Sequence, residues 1–289
     1  MDSNKITTLY AFFILIFIVF IGLLLGNWFS LLLANSLDIN PAIIVLEADE
    51  NCDPLTRNYL RSMNLFNHLF GFVLATLIAS YIIHKKQFLA ELAIQKNAFA
   101  SGILTALLMI ILAFPGAQIL YKWNQSIPLP PWMTSAEEET ENLLNCILQM
   151  DNPMELLFNF FIIAIIPALG EELLFRGFLQ KKLQQLIAPV FAILITSIIF
   201  SAFHFQFEGF LPRFLLGAIL GFSFFITGNL WVSIIAHLFF NGIQVLAYYF
   251  VGDIAQDPSV EVPILLGIFS LVTVIIAGFF WWKRMKNEN

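Results

Sequence analysis

Glu171, Glu172 and Arg176 lie within one short stretch of the run Ile166-Pro167-Ala168-Leu169-Gly170-Glu171-Glu172-Leu173-Leu174-Phe175-Arg176-Gly177, which is otherwise apolar. A charge inside a membrane helix costs about 2.5 to 3.5 kcal/mol even on the lenient insertion scale, so each needs a partner or a task. Glu172 and Arg176 are spaced i,i+4 with the acid first, the favourable order for an ion pair on one helix face. Glu171 lies about 100° round the helix from Glu172 and five residues from Arg176, which makes it the carboxylate left over. Poorly solvated in apolar surroundings, such a group suits a general base that takes a proton from water near neutral pH. The bland alternative is a charge cluster that only holds a bundle together.

Two further apolar runs carry groups of complementary chemistry. Phe200-Ser201-Ala202-Phe203-His204-Phe205 ends one of them, and His237-Leu238-Phe239-Phe240-Asn241 places an imidazole and an amide at i,i+4 on one helix face. Either His alone is as readily an interhelical hydrogen bonder as a catalyst. Taken together, three segments supply groups able to act on water or an oxyanion, in a chain with 4 His. Glu171, His204 and His237 also form a known catalytic zinc set with an open fourth position, although no His-Glu-x-x-His string accompanies them.

The elements that must position these groups follow from composition. The chain has 289 residues, 59% hydrophobic and 12% charged, with 32 Phe. That leaves too much apolar surface for one water-soluble core, whereas a bilayer solvates it directly. A net charge of -6 leaves no basic patch for nucleic acid, and 2 Cys exclude both a dense disulfide framework and a Cys-based zinc site. The expected fold class is all-α: a polytopic membrane helix bundle of about eight transmembrane helices.

Spans are expected near 9–34, 64–83, 98–120, 156–178, 188–206 and 262–282. The stretch between Arg213 and Asp253 holds two more, broken at Thr227-Gly228-Asn229. The first is read as an uncleaved anchor, and no internal repeat or soluble domain is evident. Lys5, then Lys85, Lys86 and Lys96, then Lys181 and Lys182, then Lys283, Arg284 and Lys286 fall in alternate loops. Both termini are therefore expected in the cytoplasm, with the acidic loops, including Asp49, Glu50, Glu137, Glu141, Asp151, Asp253, Asp257 and Glu261, outside. Cys52 and Cys146 both fall in the outer loops. They either form a disulfide tying the loops together or stay as thiols, Cys146 then being buried under an amphipathic surface helix. Trp28, Trp231, Trp281 and Trp282 read as interfacial anchors, and Arg213 as a residue that snorkels to the outer surface. The paired glycines Gly22/Gly26 and Gly217/Gly221 read as close packing within the bundle, and Pro167 as a kink that frees a backbone carbonyl.

Glu171-Glu172-x-x-x-Arg176, Phe200-x-x-x-His204 and His237-x-x-x-Asn241, in that order, resemble the three motifs of the CPBP intramembrane proteases. That family contains the type II CAAX prenyl endopeptidase and the Abi-type bacteriocin self-immunity proteins. The resemblance divides the chain into an N-terminal transmembrane region (1–154), a protease core (155–247) and a C-terminal loop, span and basic tail (248–289). It implies Glu171 as general base, His204 as a holder of the attacking water, His237 and Asn241 as oxyanion donors, and Glu172 with Arg176 in support. The family has been described both as metalloproteases and as glutamate proteases; the glutamate form is favoured, with no cofactor, and zinc on Glu171, His204 and His237 is the alternative. The implied substrate is a hydrophobic or membrane-bound peptide, cleaved in a bacterial plasma membrane at a cavity open to the cytoplasm. A proton-coupled transporter and a non-enzymatic immunity or scaffold protein are the competing functions. One tension is visible in advance. Counting about 1.5 Å per residue from the basic loops puts Glu171 and His237 12 to 15 Å deep but His204 near 24 Å.

Overall fold

The computed structural model describes residues 3–47, 52–94, 100–252 and 262–288, all of whose regular elements are helical. Lys96, Asp49, Glu50, Asp253, Asp257 and Glu261 lie outside these residues. In chain order the helices are α1 (Ser3–Ser36), α2 (Pro41–Glu47), α3 (Pro54–Glu91), α4 (Ala100–Gln125), α5 (Pro131–Leu148), α6 (Pro153–Leu183), α7 (Pro189–Ala202), α8 (Phe210–Thr227), α9 (Leu230–Val251) and α10 (Ile264–Glu288). Local chemistry sets many of their ends. Asp53, Asn152 and Asn229 accept backbone N–H groups at the starts of α3, α6 and α9, and Pro occupies the first turn of α3, α6 and α7. Gly228, left-handed at φ 57°, closes α8 at the expected break.

Among the described residues 7 helices are long and apolar enough to cross a membrane: α1, α3, α4, α6, α8, α9 and α10. The run expected to form a full span near 188–206 is the exception. Its helix, α7, has 14 residues and so rises about 21 Å, against a hydrocarbon layer of about 30 Å. It stops because Phe205 turns left-handed at φ 54° and the Ser201 hydroxyl donates to the Phe210 carbonyl at 2.6 Å, folding the chain into a loop.

Two large apolar cores hold the bundle, beside a smaller one around Ala34, Tyr59, Leu60 and Ile147. One joins Leu15 and Val19 of α1, Phe72 and Val73 of α3 and Leu173 and Phe175 of α6. The other joins Met109 of α4, Leu216 and Leu220 of α8, Val232 of α9 and Val274 of α10. Helix α9 serves both, sending Ile234 into the first and Ala236 into the second. Trp281 is buried in the second core against Phe222, so it packs the interior and is not an interfacial anchor. Both glycine pairs also pack inward. A Cβ at Gly22 would stand 2.2 Å from the Phe70 carbonyl oxygen, and one at Gly217 would stand 3.2 Å from Phe200.

Charge is sorted between the two ends. At one end Lys181 pairs with Glu91 at 3.1 Å, Trp231 Nε1 donates to the Ile94 carbonyl at 2.9 Å, and Thr8 meets Gln185 at 3.4 Å. At the other, the buried guanidiniums of Arg57 and Arg61 bind Asp151 and Glu155, and Gln125 donates to Glu208 at 2.9 Å.

Candidate active site

Helix α6 supplies the carboxylates. It departs from α geometry in two wide π-type turns, Phe160–Ile165 and Leu173–Gln180, which bracket Glu171 and Glu172; α3 has a similar turn at Leu69–Leu74. Such turns alter which face the following residues present and recur at functional sites.

Glu172 and Arg176 are fully buried and paired, Nη1 to Oε1 at 2.6 Å. The other guanidinium arm, Nη2, donates to the Gly217 carbonyl at 3.0 Å, and one turn on Gln180 Nε2 donates to the Gly221 carbonyl at 2.8 Å. A Cβ at Gly221 would stand 2.7 Å from Gln180 Oε1 and obstruct that contact, while one at Gly217 would press on Phe200 and Ser197 of α7 at 3.2 Å. Oε1 of Glu172 has a second donor, His237 Nδ1, at 2.8 Å. The pair expected only to neutralise itself therefore also orients an imidazole. With Nδ1–H committed to Glu172, the neutral ring carries its lone pair on Nε2, which lies 3.9 Å from Glu171 Oε2.

Glu171 is not the solitary carboxylate the sequence implies. Its Oε1 lies 3.3 Å from Nε2 of His68 on α3, a residue that the motifs do not include. The polar pair Asn64-x-x-x-His68, with the same i,i+4 spacing as His237 and Asn241, was the available signal. Glu171 Oε2 is buried and, among the described residues, has no hydrogen-bond partner.

His204 follows the last turn of α7. Its Nδ1 donates to the Phe200 carbonyl at 2.9 Å, and its ring packs 5.2 Å from that of Phe200, which also lies 5.8 Å from the His237 ring and 4.6 Å from the Arg176 guanidinium. The rings of His204 and His237 thus both pack against Phe200, which draws the end of α7 to the same place as α9. The loop behind it is braced. Glu137 of α5 accepts from the N–H groups of Phe207 and Glu208, and Arg213 binds the side chain and carbonyl of Gln206 at 2.7 and 2.6 Å. Arg213 is thus a strut for the His204 loop, not a snorkelling residue. At its other end α5 is joined through the Cys52–Cys146 disulfide, Cα–Cα 5.5 Å, to the segment that enters α3.

Asn241 Nδ2 donates to the Ile163 carbonyl at 3.4 Å. Ile163 lies four residues before Pro167, which has no N–H, so Asn241 serves a carbonyl deprived of its α-helical partner. Among the described residues, no three His, Cys, Asp or Glu side chains converge into a ligand shell.

Residues 153–243 match the family model described as Type II CAAX prenyl endopeptidase Rce1-like, which supports the CPBP resemblance and, with it, an intramembrane protease of the CAAX type in general. No curated protein and no solved structure matches the chain.

Proposed function

We propose that the chain is a glutamate-type intramembrane endopeptidase that hydrolyses peptide bonds of hydrophobic or membrane-bound peptides. The observation that carries this reading is the free, buried Oε2 of Glu171 facing Nε2 of His237 across 3.9 Å. That gap is too long for a direct hydrogen bond and short enough for both groups to address one water. Glu171 takes a proton from that water as its oxygen attacks the scissile carbonyl, and returns it to the leaving amine as the tetrahedral intermediate collapses. His204, with Nδ1 held by Phe200, turns Nε2 to the water. The second amide proton of Asn241 is free for the oxyanion. His237, oriented through Nδ1 by the Glu172 carboxylate much as the triad aspartate orients its histidine, turns Nε2 to the same site. The gathering of basic residues at one end supports a cytoplasmic location for both termini, since α7 and the loop after it carry the chain to the Gln125 and Glu137 end and so complete an eighth crossing.

Proteins of membranes expressing wild type or Glu171→Gln test this by terminal proteomics. New termini that appear with wild type and vanish with a folded Glu171→Gln protein are the expected result. Cleavage retained by Glu171→Gln contradicts the general base, and cleavage lost to chelators and restored by zinc reassigns Glu171 as a ligand.

A further inference from the structure

We propose that His68 is a positioning residue for Glu171, holding one carboxylate oxygen so that the other is presented to the water; this rests on the protease reading above. His68 comes from α3, outside the segment 153–243 that carries the three motifs. Its Nδ1 lies 3.1 Å from the Asn64 carbonyl and its Nε2 3.3 Å from Glu171 Oε1, so the ring is held between two acceptors and Nε2–H donates to the carboxylate.

The consequence is that the two oxygens of Glu171 are unlike. Oε1 is engaged and Oε2 is free. The imidazole is itself fixed. It stacks on Phe72 at 5.1 Å with the planes 19° apart, and Phe72 packs against Phe203 at 5.9 Å and Phe175 at 6.5 Å. Rotation of the Glu171 carboxylate would break the contact with His68. A base held in one orientation spends less of its encounter with water misaligned, and partners that orient reacting groups in this way are typically worth about 10- to 100-fold in activity.

Three variants separate the hydrogen bond from the packing. His68→Phe keeps an aromatic ring on Phe72 without a donor, His68→Gln keeps a donor near Nε2 without the ring, and His68→Ala removes both. On a peptide cleaved by wild type, Phe and Ala should lower kcat about 10- to 100-fold with KM changed less than about twofold, while Gln recovers most of kcat. A Phe variant as active as wild type, or a Gln variant as slow as Phe, overturns the proposal. A readout that needs no substrate runs beside it: labelling of Glu171 by dicyclohexylcarbodiimide at pH 7, quantified by peptide mass spectrometry. Labelling should rise several-fold in the Phe and Ala variants but not in Gln. Equal labelling in all four proteins overturns the contact, whether or not wild type cleaves any peptide. Absence of cleavage by wild type with the labelling pattern intact faults the protease reading alone.

Discussion

At the scale of single residues, Oε1 of Glu172 is the most heavily used acceptor of the site, bound by Arg176 and His237 together. Glu172→Gln removes the charge that compensates a fully buried guanidinium, and leaving a buried ion unpaired costs about 3 to 5 kcal/mol. The expected outcome is a marked fall in Tm in detergent together with lost activity; unchanged stability would contradict the pairing. Asn241→Ala should behave otherwise, with near-normal stability and kcat about 10² to 10³ lower, because one oxyanion donor is lost and the base remains. The Glu172–Arg176 pair is legible in sequence because i,i+4 spacing is itself geometry. The tie from His237 to Glu172, and from His68 to Glu171, spans 65 and 103 positions, a relation that only folding creates.

At the scale of elements, the site depends on how closely α3 approaches α6. A Cβ at Gly170 would stand 2.9 Å from Phe72 Cβ and 3.0 Å from Val73 Cγ2, atoms too near the backbone to move aside. Gly170→Ala should therefore part the two helices at a cost of about 1 to 3 kcal/mol and lengthen the His68–Glu171 contact. Thermal unfolding and kcat measured on the same preparation check this; a variant with wild-type values for both would show that the helices can absorb a methyl group. The span count was nearly legible from hydropathy, since seven of the expected runs are long helices. The short α7 was not. Phe203, His204 and Phe205 prolong an apolar run, and hydropathy does not distinguish a chain that continues from one that turns back.

At the scale of the whole molecule, the acidic end is locked by its own ions. The Arg57 guanidinium, hydrogen-bonded to Asp151, holds that carboxyl below its ordinary 3.8, and the Thr56 hydroxyl does the same for Asp53. A carboxyl lowered on folding contributes stability above its ordinary value and loses it as the pH falls through the folded one. Tm should accordingly decline below about pH 3.8, and Asp151→Asn should shrink that decline while lowering Tm slightly at neutral pH; an identical acid profile would exclude Asp151 as a contributor. This end also contains the disulfide, whose two cysteines are 94 positions apart. The cross-link spans a stretch of chain that contains α3 and α4, so it restricts the unfolded chain and ties the entry to α3, the helix that carries His68, to the end of α5.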